Sequence, residues 1–179
     1  ESQRIGFAAL MNRDWRIMSD VPGAAMMRMV RHDRSVAQCD FRKLPSLDAG
    51  KQWTLEAFSD DVKQTLGEQL TDLVGADQRV SPVGLRVLRV TAAGAVEGVP
   101  IQWVLMHFSD DSGRRMLATF TLEGSNADAF VGSDLQLASS LRFIDLPSTA
   151  GQAEVPTEAE TMETEKSAAK KPASTRIAD

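Results

Sequence analysis

The stretch from Val99 to Glu123 most constrains the fold, because it has the pattern of a β-hairpin. Two long, mostly apolar runs flank the cluster Ser109–Gly113, whose sequence is SDDSG. Asp and Ser side chains can hydrogen-bond to their own backbone, and Gly tolerates positive φ, so this cluster is typical of a turn. In the first run large apolar side chains fall on both faces, as in a central strand that is covered on both sides. The sequence therefore predicts a sheet with this hairpin in its interior.

Alternation of apolar and polar residues predicts further strands on either side of the hairpin. Phe7–Met11 and Asp14–Met18 are predicted to be opening strands, and Leu85–Ala93 a later one. Ser35–Leu44 alternates clearly, which is typical of a strand with one solvated face. The thiol of Cys39 is therefore predicted to point into the core.

A change of period predicts a helix from Leu55 to Gly75. Apolar residues recur every three or four positions over about 20 residues, which is the pattern of an amphipathic helix. Thr54 is a suitable N-cap and Gly75 a suitable C-terminal stop. Gly67 inside such a helix would cost about 1 kcal/mol relative to Ala, and a close approach to the sheet would explain it.

A second helix is predicted after the hairpin. It would start at Ser125–Asp128, which resembles a capping box. Its apolar stripe would consist of Ala127, Phe130, Val131, Leu135, Ala138 and Leu141.

Length and composition fit one globular domain followed by a tail. Hydrophobic residues make up 42% and charged residues 25% of the 179 residues, and the net charge is −5. These proportions are close to the globular average. From Pro147 onward the residues are mainly Ala, Thr, Glu, Lys and Pro, which cannot bury enough apolar surface to offset the entropy of ordering. We therefore predict a globular domain at residues 3–146 and a disordered tail at residues 147–179.

The same features limit the partners and the compartment. No apolar run approaches the roughly 18 residues that span a membrane, and no cluster of positive charge indicates nucleic-acid binding. Cys39 is the only cysteine, so disulfide pairing gives no information about the redox compartment. A chain that begins at Glu1 rather than Met favours a mature protein without its signal peptide. The expected location is periplasmic or otherwise exported, and the alternative is cytoplasmic.

Motifs for catalysis, cofactors or metals are not found. The sequence has no Gly-x-Ser-x-Gly elbow and no His-Glu-x-x-His. Cys39 and His107 could form a thiol–imidazole pair, but both lie in predicted strands, and packing in the core is the favoured interpretation. Neither Asp60–Asp61 nor Asp110–Asp111 has the alternating oxygen ligands of a calcium loop. We predict no catalytic residues, no metal site and no cofactor.

Five residues remain as candidates for binding. Trp53 lies in a polar loop before the helix, where an exposed aromatic ring would be an anchor for a partner. Trp103 and His107 would line a cleft between the sheet and the first helix. Arg28 and Arg31 belong to a local basic cluster that could meet an acidic partner, although charges that protect a solvated edge strand are the favoured interpretation.

The predicted order of strands, long helix, hairpin and second helix is that of an α+β layered sandwich. Its landmarks are Asp14-Trp15 after a short strand, the helix Leu55–Gly75, the strand Gly84–Ala93, the run Gly98–Trp103 leading through a charged turn to Arg114–Leu122, and Asp134 ahead of Leu135, Leu137 and Leu141. In these landmarks, over nearly all of residues 5–145, the chain resembles the PsbP, Mog1p and DcrB-like superfamily. The resemblance implies a central antiparallel sheet flanked by helices, an α/β/α sandwich, and non-enzymatic roles.

Three functions follow as hypotheses. The first is a non-catalytic binding or assembly module of the bacterial cell envelope, a monomer that acts through contacts with a protein partner. The second is a small-ligand binder or enzyme with a cleft near Trp103 and His107, for which a deep pocket with convergent polar groups would be expected. The third is a cytoplasmic chaperone-like adaptor that holds apolar helices on exposed Met26, Met27 and Met29.

Overall fold

A computed structural model describes residues 1–48, 50–126, 130 and 132–145. The strands are β1 (Phe7–Ala8), β2 (Trp15–Val21), β3 (Ala24–Arg31), β4 (Arg34–Leu44), β5 (Leu70–Val80), β6 (Arg86–Val96), β7 (Val99–Ser109), β8 (Arg115–Glu123) and β9 (Arg142–Phe143). The described residues include the α-helices α1 (Leu55–Leu66) and α2 (Ser133–Ser140), and short 3-10 helices at Gly67–Gln69 and Gly124–Asn126. Seven strands form one antiparallel sheet in the order β2-β3-β4-β8-β7-β6-β5, and β1 pairs with β9.

The predicted hairpin is confirmed as β7 and β8 in the interior of the sheet. The two strands pair from Ile101 with Glu123 to Ser109 with Arg115. β6 and β4 lie on their outer sides. A core cluster packs on each face of β7, with Val104 and Met106 on one face and Trp103 and Leu105 on the other, which explains why the first run is apolar on both faces. In the turn, a carboxylate oxygen of Asp110 accepts a hydrogen bond from the backbone N–H of Arg114 at 2.9 Å, and Gly113 has a φ of 88°.

The predicted helix is correct at its start and wrong in its second half. The hydroxyl of Thr54 caps it by accepting a hydrogen bond from the N–H of Ala57 at 3.1 Å. α1 ends at Leu66, because Gly67 takes a φ of 51° and leaves the helical conformation. Gly67 is therefore the stop, and Gly75 lies in the middle of β5.

The apolar residues of β5 have the spacing of a helix because the strand is irregular. Register shifts between Leu70 and Asp72 and between Leu73 and Gly75 mark bulges against β6. An extra residue in a bulge changes which face the following side chains occupy. Leu70 and Leu73, three residues apart, consequently both pack on the core beneath α1, which gives a strand the spacing of a helix.

The two helices pack on opposite faces of the sheet, and each is short. Phe58 and Val62 of α1 pack on a cluster that includes Leu88 and Leu105. Leu137, Ala138 and Leu141 contribute to the core on the other face, which contains Met106, Phe120, Cys39 and Phe41. The α+β prediction is thus confirmed for the large antiparallel sheet. The protein is mainly β, however, and not a clear helix-flanked sandwich.

The prediction for the second helix is correct in part. α2 begins at Ser133, and Leu135 is 49% exposed, so it does not belong to the apolar stripe. Ala127, Asp128 and Val131 of the predicted cap and stripe lie outside the described residues, as does the predicted tail at 147–179.

The close approach to the sheet predicted for Gly67 is wrong, because no described residue lies within 4 Å of a β-carbon added there. A close approach occurs instead at Gly94 of β6. A β-carbon there would collide with the backbone carbonyl of Gln69 and lie 3.0 Å from the ring of Trp103. We expect Gly94→Ala to lower the free energy of unfolding by about 1–3 kcal/mol, as overpacking does elsewhere. Gly75→Ala is the matched control, because nothing lies within 4 Å of its added β-carbon. Urea denaturation of both variants checks this, and equal midpoints would contradict it.

Candidate functional site

Cys39 and His107 lie on opposite faces of the sheet and cannot form a catalytic pair. Cys39 is fully buried in the core beneath α2, and burial raises the pKa of its thiol. His107 is fully buried on the face that carries α1, where its ring is 5.8 Å from that of Phe58. Both side chains pack in the interior, as the favoured interpretation predicted.

The interface between α1 and the sheet is filled around His107, whereas an open groove of about 460 Å³ lies between α1 and the sheet beside Trp103. The ring of His107 stacks on that of Trp53, with 5.1 Å between centroids. Trp103 is only 5% exposed and belongs to the core beneath α1. Burial first, then the charges of Arg115 and Arg86, lower the pKa of His107 to about 4, so the ring is neutral at pH 7.

Trp53 is engaged within the protein. Its side chain is half-buried, and the guanidinium carbon of Arg115 lies 5.3 Å from its ring centroid. Trp53 therefore packs over His107 and Arg115, and it is not an exposed aromatic anchor.

Arg28 and Arg31 lie on an interior strand, which corrects the edge-strand interpretation. β3 pairs with β2 on one side and β4 on the other. Arg31 forms an ion pair with Asp14 at 3.1 Å, and Arg28 donates a hydrogen bond to the amide oxygen of Gln38 at 3.4 Å.

The methionine surface of the third hypothesis is mostly covered. Met29 is fully buried, and Met27 packs against the core. Met26 is half-buried beside α1, in an open groove of about 460 Å³ that also contains Trp103 and the charged Asp40 and Arg42. A continuous apolar surface for helices is not present on this part of the described chain.

The strand predicted at Asp14–Met18 is present as β2, but its position at the edge of the sheet was not predicted. No strand of the described chain pairs with its outer side. Three apolar side chains of β2 are largely exposed: Ile17 by 56%, Met18 by 52% and Val21 by 47%. The register shift between Ile17 and Ser19 makes Met18 the extra residue of a bulge. These residues lie at an edge of the sheet only because β2 is the outermost strand in the sheet order.

An apolar pocket of about 270 Å³ opens beside this edge. The N-terminal segment forms one wall and β2, β3 and β4 form the other, with apolar side chains from Phe7, Met11, Trp15, Ile17, Met27 and Phe41. At its rim the Ser2 hydroxyl donates a hydrogen bond to Asp20 at 2.7 Å, and Arg13 is exposed. The predicted strand at Phe7–Met11 is confirmed only for Phe7–Ala8, since the following residues turn to form this wall.

Comparison with known proteins shows a distant relationship of fold. No protein-family model and no curated protein matches the sequence. LpqN of Mycobacterium tuberculosis, which is involved in cell envelope biogenesis, is similar in structure, with 7% identity, a TM-score of 0.55, and coverage of 78% of this chain and 83% of LpqN. A protein from Bacteroides thetaiotaomicron is similar with 11% identity, a TM-score of 0.53, and coverage of 78% of this chain. The match spans 46% of the Bacteroides protein, about half its length.

Two further observations concern the described residues. None of their helices has the length and apolar character that crossing a bilayer requires. They also contain no group of three or more His, Cys, Asp or Glu side chains that could hold a metal ion.

Proposed function

We propose that this protein is a non-catalytic binding module of the bacterial cell envelope, with a PsbP/Mog1p/DcrB-like fold, that holds an extended segment of a partner protein along β2. The observation that carries the proposal is the open edge of β2, with exposed Ile17, Met18 and Val21, next to the apolar pocket. An added strand would gain affinity from main-chain hydrogen bonds, and a pocket beside the edge would select one of its side chains.

The opposite edge of the sheet is less suited to this role. β5 carries Asp72, Asp77 and Arg79, and it has two register shifts. Charges and bulges are the usual means by which proteins protect an edge from pairing. β2 has a single shift and three largely exposed apolar side chains, whereas β5 has two, Val74 and Val80, so β2 is the edge that favours a partner.

The chemistry of the partner follows from the surroundings of β2. The pocket favours an apolar side chain of the incoming strand. Arg13 is exposed at the pocket, and Arg16 is exposed on the other face of β2, where it lies opposite Arg28 in the register. Within the described residues none of these three arginines lies within 4.0 Å of a carboxylate. A segment that combines an apolar anchor with acidic neighbours is complementary to this charge.

Two further observations support the proposal. Neither histidine nor Cys39 lines the pocket, so its walls supply no imidazole or thiol for catalysis. The fold similarity to LpqN, whose own role is in cell envelope biogenesis, supports an envelope location for this chain.

Ile17→Asp tests the proposal. A random-peptide display library selected on the wild-type protein is expected to yield peptides with an apolar residue flanked by Asp or Glu. A charge at position 17 would face both the incoming strand and the pocket. Fluorescence anisotropy with a selected peptide should therefore show at least about tenfold weaker binding to Ile17→Asp, or about 1.4 kcal/mol.

Val80→Asp is the matched control, because Val80 is 70% exposed on the opposite edge strand. Its peptide affinity should equal that of the wild type, and circular dichroism should show both variants folded. Equal affinity of Ile17→Asp and the wild type would place binding elsewhere and refute the proposal.

A further inference from the structure

A polar cluster is buried on the face of the sheet that carries α1. Arg86 of β6, Ser109 of β7 and Arg115 of β8 are direct neighbours in the register. Directly opposed residues project from the same face, and His107, two positions before Ser109, shares it. We call these four residues the arginine cluster.

Several polar atoms of the arginine cluster have no hydrogen-bond partner among the described residues. They are Nε of Arg86, Nη1 of Arg115, Oγ of Ser109 and both ring nitrogens of His107. His107 and Ser109 are fully buried, and Arg115 is 8% exposed. Buried polar groups are nearly always hydrogen-bonded in proteins, so this concentration in one place is unusual.

The cluster also carries two positive charges without a negative one. Arg115 donates two hydrogen bonds to the carbonyl of Pro45, at 2.9 and 2.7 Å, but within the described residues no carboxylate lies within 4.0 Å of Arg115 or Arg86. The half-buried Arg89, by contrast, is paired with Asp134. A buried cation without a counter-ion is destabilising, and burial lowers the pKa of Arg115.

We infer that the arginine cluster is a binding site for a small tetrahedral oxyanion of the phosphate or sulfate type. Such an anion would accept hydrogen bonds from Arg86 Nε, Arg115 Nη1 and the Ser109 hydroxyl. Guanidinium groups match oxyanions in geometry as well as charge. Three adjacent strands, spaced by about 4.8 Å, place Ser109 between the two arginines, so donors face the anion from three strands.

Gln52 connects Arg86 to the turn that follows β7. Its side-chain oxygen accepts a hydrogen bond from Arg86 at 3.4 Å, and its nitrogen donates to the carbonyl of Asp110 at 2.8 Å. The first of these bonds is long and weak. An oxyanion at Nε would use the donor of Arg86 that is free among the described residues, while Nη1 keeps its bond to Gln52 and Nη2 its 2.9 Å bond to Gln78.

Titration with sodium phosphate, followed by amide ¹⁵N NMR, tests this inference independently of the β2 site. Sodium chloride at the same ionic strength is the reference. We expect saturable shifts of the Ser109 and Arg115 backbone amides and of the Trp53 indole N–H with phosphate, but not with chloride. Arg86→Gln should weaken phosphate binding at least tenfold, and its partly exposed position should allow the variant to fold.

Arg34→Gln is the matched control, since Arg34 is exposed at the start of β4, away from the arginine cluster. It should bind phosphate like the wild type. Identical responses of the wild type to phosphate and chloride would overturn the inference. So would phosphate affinities of Arg86→Gln and Arg34→Gln that both equal the wild-type value.

Discussion

The free energy of unfolding is expected to fall by about 2 kcal/mol between pH 7 and pH 5, and by about 3 kcal/mol by pH 4, because of His107 alone. Its pKa is lowered from 6.5 to about 4 in the folded protein. Below pH 6.5 the unfolded state therefore binds a proton that the folded state does not. Stability consequently decreases as the pH falls from 6.5, and this contribution levels off below pH 4.

His107→Leu provides the comparison for this pH dependence. It should remove most of the slope between pH 7 and pH 5, a range in which carboxylates contribute little because their usual pKa values lie near 4. His32→Gln should keep the slope, because His32 is exposed in the turn between β3 and β4. Urea denaturation at several pH values, in buffers free of phosphate and sulfate, measures the effect. Equal slopes for His107→Leu and the wild type would assign the pH dependence to other groups.

Phe58→Ala is expected to lower the free energy of unfolding by about 3–5 kcal/mol, the usual range for a buried aromatic residue. Phe58 is 1% exposed and packs α1 onto the sheet. Its ring lies 6.0 Å from that of Trp53 and 5.8 Å from that of His107. The loss of stability would have two parts: the apolar area of the ring would no longer be buried, and a cavity would remain in the core.

Gln64→Ala is the control on the same helix, because Gln64 is exposed. It should change the stability by no more than about 0.5 kcal/mol. Phe58→Ala should also flatten the pH dependence, since water that reaches His107 would raise its pKa toward 6.5. A stability loss below about 1 kcal/mol would show that α1 is held in place by other contacts.

Local chemistry made much of the fold predictable. The hairpin follows from turn residues at Ser109–Gly113 and from apolar runs on both sides, and both features act within a few residues. The start of α1 follows from Thr54, whose hydroxyl caps the first turn. Alternation around Cys39 predicted its burial, because the two-residue period of a strand assigns each side chain to a face.

The candidate sites could not be predicted in this way. The exposed apolar residues of β2 lie at a sheet edge only because β2 is the outermost strand, and the order of the strands depends on residues far away in the chain. The pocket beside β2 needs the N-terminal segment to pack across it. Trp53 was predicted to be a possible exposed anchor, but it packs on His107, 54 positions away in the chain.

The positions of the turns, the start of α1 and the buried face of a regular strand depend on neighbouring residues, so they can be predicted from the sequence. Tertiary structure alone decided that Leu70–Val80 is a strand, because pairing with β6 and two bulges override an apolar spacing that suits a helix. Tertiary structure also places Arg86, Ser109 and Arg115 next to one another on adjacent strands. Strand register, set by the packing of the whole sheet, brings together residues whose positions in the chain show no relation.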